Sequence, residues 1–361
     1  MQKLGVTTFD ILQGWIDGNH PTIEEQEILI EQELSLKSRA QAFGITTENC
    51  QQSIEARSQL FCFVQKQVLA WCEKHQIKKS RRELIHLLWS FWLPLAINLA
   101  EARQELGRPP IQGILGGQGT GKSSLVKILS LLLKSLGYTT AIISIDDLYK
   151  THAERQQLLN SDSRLVWRGP PGTHDVNLGI EVLERCLEGE GSKPILLPRF
   201  DKSAYNGSGD RINPQAIPSA DIILFEGWFV GARPLSDLVI DQSQDTKDVL
   251  RTSEDVQFAK DSNRRLIEYL PLWDKLDRLL VLYPQDYRFS QAWRKEAERK
   301  MIAQGKTGMS DTEIDKFVEY FWKSLHPNLY VKPLISNPYL VDLVVELDSD
   351  RSYSNIYKPS F

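Results

Sequence analysis

Hydrophobic and polar positions divide the chain into two textures. Through residues 1–105 apolar side chains recur at spacings of three and four, most clearly in Phe61–Trp71 and again over Leu84–Leu106 after the basic opening KKSRRE, a pattern that predicts helices and no strands. A GRPP stretch at Gly107–Pro110 punctuates the boundary. Beyond it, short apolar runs alternate with helical stretches: IQGIL (111–115), AIISI (141–145), PILL (194–197), DIILF (221–225), RLLVL (278–282) and LVVEL (343–347). Runs of four or five residues rich in Ile, Val and Leu predict strands buried on both faces, and their alternation with helices predicts a mainly parallel sheet wrapped by helices. The expected architecture is α/β, with a helical N-terminal region over 1–106 and the main domain over 107–361. Residues 241–263 are polar and predict an exposed insertion or loop. There is no internal repeat and no low-complexity tract.

Composition narrows the classes without choosing one. With 41% hydrophobic and 25% charged residues, the 361-residue chain reads as an ordinary globular protein that buries a core without staples. A net charge of −4 creates no global field for nucleic acid or an anionic membrane, and basic–aromatic interleaving is missing as well, so local basic patches must do any phosphate binding. The most apolar segment, Leu84–Ala100, holds His86, Pro94 and Asn98, which fits a buried core helix better than a membrane span. Cys50, Cys62, Cys72 and Cys186 have no metal-ligand spacing and read as reduced thiols. The N-terminus shows neither a basic n-region with an apolar stretch nor a transit-peptide composition, so a cytoplasmic protein is expected.

The chemistry enters at GGQGTGKS, residues 116–123, which fits G-x-x-x-x-G-K-[ST] directly after a predicted strand and opens a helical run. Gly116, Gly117, Gln118, Gly119, Thr120 and Gly121 supply a turn whose backbone N–H groups converge on an anion, and the helix from Lys122, Ser123 and Ser124 adds its positive dipole end. Lys122 is placed to reach the β- and γ-phosphates of ATP and the Ser123 hydroxyl to ligate Mg²⁺. Such a P-loop implies a three-layer NTPase-type fold. Two strand ends add carboxylates. DIILFEG (221–227) ends on Glu226, a second candidate for the magnesium. SIDDLY (144–149) offers Asp146 or Asp147 to orient an attacking hydroxyl and accept its proton, with a helix-capping role as the competing use of Asp147.

SIDDLY after the second strand, a P-loop and a strand ending FEG together resemble the uridine kinase, pantothenate kinase and phosphoribulokinase superfamily. Four further strings, GPPGTHD (169–175), LPRFDKSAYNGSGDR (197–211), FEGWFVG (225–231) and GMSD (308–311), are similar to the D-glycerate 3-kinase family of the plant and cyanobacterial type, over about residues 107–350. The resemblance implies ATP-dependent phosphorylation of D-glycerate to 3-phospho-D-glycerate, a photorespiratory setting, and a base at the acid of S-x-D, which is Asp146. Acceptor contacts are expected from Tyr149, from Arg168, His174 and Asp175, and from Arg199, Lys202 and Arg211, although Asp175 also suits a helix N-cap and His174 a structural role. Residues 287–311 read as a basic lid helix with Gly305 and Gly308 as hinges, from which Arg294 or Arg299 reaches the transferring group. Ser310 and Glu313 form a capping box for the next helix. The alternatives are a nucleoside or pantothenate kinase, and a P-loop ATPase switch with no small acceptor.

Overall fold

The computed structural model describes residues 6–188, 193–303, 305 and 308–360. Its strands are β1 (Ile111–Gly116), β2 (Thr140–Ser144), β3 (Ile195–Asp201), β4 (Asp210–Ile217), β5 (Ile222–Gly227), β6 (Arg278–Pro284), β7 (Leu343–Leu347) and β8 (Tyr353–Tyr357). Six of them form one sheet in the order β2-β5-β1-β6-β7-β8, parallel except for β8, which runs antiparallel along β7. β1 lies in the middle, so the turn that follows it opens between the C-terminal ends of β5 and β6, where open parallel sheets place their ligands.

Side chains alternate between the two faces of each strand, and each face feeds its own core. Ile114, Leu224, Leu282 and Val345 pack with the helix Lys122–Ser135 and with the N-terminal helices. Leu115, Phe225, Val281 and Val344 pack with the helices that follow β2, β5 and β6. The helical N-terminal region is therefore one covering layer of the sheet and shares its core. Its helix Arg81–Leu106 is long and apolar enough to cross a membrane, yet 78% of the apolar window is buried inside the protein. Pro94 has no N–H for the carbonyl of Ser90, and just before it the ladder widens to a π-turn over Leu88–Trp92, where the Leu93 N–H donates to the Leu88 carbonyl.

One ion cluster is sealed in this layer. Glu33 accepts from Arg57 at 2.6 Å and from Arg39 at 3.1 Å, with the Glu33 and Arg57 side chains 1% and 2% exposed. Burial pushes the Glu33 carboxyl up, but the two guanidinium groups more than offset it and hold its pKa below the usual value. Because the folded value is depressed, this contribution is present above the unfolded Glu pKa and is lost as pH falls through the folded one. Glu33→Gln strands Arg57 without a counter-charge and is expected to cost about 3–5 kcal/mol. Calorimetric melting of the variant and wild type checks this, and the difference should narrow in acid.

Three expectations about secondary structure change. The PILL run is not in the main sheet: β3 pairs antiparallel with β4 as a separate hairpin, and Leu196 is half exposed. The segment 199–211, read as a glycine-rich loop, is the tip of that hairpin, turned by positive φ at Tyr205, Asn206, Gly207 and Gly209. Residues 253–265, most of them in the expected insertion, form a helix capped by Thr252 and Asp255. It buries Phe258, Ala259, Ser262 and Asn263, a face too small and polar to register as hydrophobic periodicity. Its neighbours Val249 and Leu250 are buried as well.

Candidate active site

The turn after β1 is held open by backbone conformations that favour glycine. Gly119 has φ of 79° and Gly121 of 92°, and a Cβ on Gly119 would stand 2.5 Å from Cβ of Trp293. Thr120, buried, donates from its hydroxyl to the Gly117 carbonyl at 2.9 Å and fixes the curl. Lys122 Nζ donates to the same carbonyl at 2.9 Å. Burial draws the Lys122 ammonium below its ordinary pKa, while the charges of Glu226 and Asp146 pull it back up. Ser124 follows in the first turn of the helix Lys122–Ser135. The far side of the turn is closed by Arg351, whose Nε donates to the Gly119 carbonyl at 2.8 Å while its guanidinium lies 5.2 Å above the Trp293 ring.

Two carboxylates face this turn from neighbouring strand ends. Glu226, buried at the end of β5, accepts from the Ser123 hydroxyl at 2.8 Å. That pair of oxygens suits Mg²⁺, which takes few protein oxygens and completes its shell with water and phosphate. Among the described residues no cluster of three or more His, Cys, Asp or Glu side chains offers a metal cage. At the end of β2 the chain enters a 3₁₀ turn, Ile145–Leu148, and here the two aspartates separate. Asp147 accepts from the Ser144 N–H and pairs with Arg199 at 3.2 Å, so it is a capping group. Asp146 faces the crevice, where Lys202 Nζ approaches its Oδ2 at 2.5 Å. Burial raises the Asp146 carboxyl, but Lys202 and the Tyr149 hydroxyl outweigh it and bring the pKa to about 2.

The crevice so formed encloses about 330 Å³. Lys122, Ser123, Asp146, Tyr149, Arg168, Lys202, Glu226 and Arg294 all line it. Other expected ligands point elsewhere because each has a partner within the fold. Arg199 spends its guanidinium on Asp147, the Ile142 carbonyl and Gln215, joining the hairpin to β2. Asp175 takes the N-cap role for the helix Val176–Leu187, accepting from the Leu178 N–H at 3.0 Å, and pairs with Arg211 at 3.0 Å. Arg211 also donates to the Tyr149 carbonyl. His174 is buried against the Tyr149 ring, with centroids 4.5 Å apart, and its Nδ1 lies 2.8 Å from the Tyr269 hydroxyl. Desolvation lowers its pKa to about 3, which keeps it neutral and makes it a support for Tyr149.

The lid helix spans Phe289–Ala303. Residues 304, 306 and 307 of the expected lid lie outside the described residues. Arg294 stands on the crevice wall over the Phe317 ring at 5.7 Å and pairs along its helix with the buried Glu298 at 2.8 Å, whereas the Arg299 side chain is 68% exposed and pairs with Asp311 outside the crevice. Ser310 and Glu313 make the capping box of the following helix. The sequence reading missed the aromatic walls formed by Trp228, Trp293, Phe317 and Phe321, as well as Arg351. Trp228 was signalled only by its place in FEGWFVG.

A glycine turn after the central strand, a lysine and serine opening the helix, and carboxylates at two adjacent strand ends define a P-loop kinase fold and site. No family model matches the chain. It is 35% identical over 258 residues to the chloroplastic D-glycerate 3-kinase of Arabidopsis thaliana, a match covering 68% of this chain and 54% of that protein, so the chain spans about half the plant relative's length. It is 35% identical to the uncharacterized kinase mug58 of Schizosaccharomyces pombe over 227 residues, 60% of this chain and 79% of that one. The solved structure of D-glycerate 3-kinase from Cryptococcus neoformans superposes with a TM-score of 0.62 at 25% identity, covering 74% of this chain and 98% of that one. The chain belongs to the P-loop kinase family that contains these proteins.

Proposed function

We propose that the chain phosphorylates D-glycerate at its C3 hydroxyl with ATP, giving 3-phospho-D-glycerate and ADP. The observation that carries the phosphotransfer reading is the placement of Asp146 in one crevice with Lys122 and the Ser123–Glu226 pair. The glycerate reading is supported by the names of the plant and fungal relatives and by the basic side chains around Asp146.

The glycine-turn amides and Lys122 hold the triphosphate, and Ser123 and Glu226 would hold Mg²⁺, which neutralises charge on the β- and γ-oxygens when bound. The acceptor hydroxyl oxygen bonds to the γ-phosphorus as the bond from that phosphorus to the bridging oxygen of ADP breaks. The hydroxyl proton passes to Asp146 and then to water. Arg294 is the lid arginine assigned to the charge on the transferring group, and Trp228, Phe317 and Phe321 exclude water from it. Proton-coupled ³¹P NMR of the product formed from D-glycerate and ATP tests the assignment. A phosphate ester coupled to the two C3 protons supports it, whereas inorganic phosphate alone, or an ester at C2, contradicts it.

A further inference from the structure

The crevice carries more positive than negative charge before any ligand enters: Lys122, Arg168 and Lys202 line it against Asp146 and Glu226, while Arg294 is already paired with Glu298 at 2.8 Å. Lys122, Ser123 and Glu226 belong to the triphosphate. What remains is a basic group whose partner is the very carboxylate expected to take the acceptor's proton. Lys202 Nζ lies 2.5 Å from Asp146 Oδ2, and no second carboxylate pairs with Lys202 among the described residues. The Lys202 side chain is 60% exposed and that of Asp146 29%, so the ammonium has open solvent beside it while the aspartate is held at its strand end.

The backbone that carries Lys202 is anchored. Arg168 donates to the Gly207 carbonyl at 2.6 Å, and Arg155 donates to the Ser208 and Gly209 carbonyls at 2.7 and 2.6 Å. The His152 ring stacks on Tyr205 at 4.0 Å. The hairpin tip is thus fixed over the crevice, while the Lys202 head group is held by a side-chain pair to Asp146 alone.

Resting on the glycerate reading above, we infer that Lys202 is a latch operated by the acceptor: an anionic group on the acceptor draws Lys202 off Asp146, so that an acidic alcohol both binds and frees the carboxylate that takes its hydroxyl proton. With Lys202 in place, the ammonium occupies one Asp146 oxygen and holds the carboxylate in a state too acidic to accept a proton from an alcohol. A carboxylate on the acceptor exchanges one ion pair for another at little net cost. A neutral polyol or amide must break the pair without replacing it. Recognition of the acid and exposure of the base become one event, which makes Lys202 a specificity-determining residue.

The test compares D-glycerate with its uncharged amide, glyceramide, as acceptors for wild type, Lys202→Met and Lys202→Arg. Wild type is expected to prefer the acid. Lys202→Met should lose roughly 10- to 100-fold in kcat/KM on D-glycerate, the value of one charge-assisted contact, and its preference over the amide should collapse. Lys202→Arg should keep much of the preference. Equal losses on both acceptors in Lys202→Met, leaving the preference intact, would overturn the latch. A wild type that uses glyceramide as well as D-glycerate would remove the latch and keep the glycerate reading. One that ignores D-glycerate but separates another hydroxy acid from its amide through Lys202 would do the reverse, and one that phosphorylates no acid at all would remove both.

Discussion

Asp146→Asn is expected to lower turnover on D-glycerate by roughly 10²- to 10⁴-fold, the range that a positioned general base contributes, while ATP affinity stays close to that of wild type. Asparagine has the same shape, and its side-chain oxygen still accepts from Lys202 and from the Tyr149 hydroxyl, so the end of β2 keeps its geometry. The backbone there is fixed by other groups, namely the Ser144 and Asp147 cap and the Arg199 pair. What the amide lacks is a lone pair basic enough to take the hydroxyl proton. The glycine turn and its lysine are untouched, so calorimetric nucleotide binding should persist as steady-state turnover collapses. Unchanged turnover would remove Asp146 from the chemistry. Asp147→Asn serves as the contrast: its loss should show in melting temperature more than in rate, because Asp147 caps a turn and pairs with Arg199.

Lys122→Met gives the second large effect. The Lys122 head group is bonded to the Gly117 carbonyl, and a methionine stem of similar length fills the same channel. The fold should therefore persist, with a melting temperature near that of wild type. In the proposed mechanism the ammonium follows charge onto the bridging and γ-oxygens during transfer, and removing one such preorganised donor costs roughly 10²- to 10³-fold in turnover. ATP binding should weaken as well, since the same contact exists in the ground state. Titration calorimetry together with initial rates separates the two components. Wild-type rates in this variant would remove Lys122 from the phosphate site.

Much of this arrangement could be read from the chain because it is local. The glycine turn, the strand before it and the helix after it are consecutive in sequence; β1, β5, β6 and β7 announce themselves as apolar runs because both faces are largely buried, and the edge strand β2 because half-buried Ile142 sits between buried Ala141 and Ile143. The run at β3 was equally visible, but nothing in it says that its partner is β4 and not the main sheet. β4 and β8 gave no signal, since the hairpin strand is mostly exposed and the edge strand buries only Ile356. Charged residues were the least legible. Arg199, Arg211 and Asp175 have the right chemistry for an acceptor, yet each is neutralised by a partner that sequence distance hides. Arg351 reaches the glycine turn from 232 residues away, and no pattern near either end reports that contact. The two aspartates of SIDDLY look alike as letters and part only when the 3₁₀ turn aims one at Ser144 and the other at the crevice.

The most direct test is ADP formation by the intact chain with MgATP, with and without D-glycerate. One equivalent of ADP for each equivalent of glycerate consumed, at a rate far above that without acceptor, is the expected result. ADP released at the same rate whether or not glycerate is present would mean that water, or nothing in this crevice, receives the phosphate, and would contradict phosphotransfer to an alcohol held at Asp146.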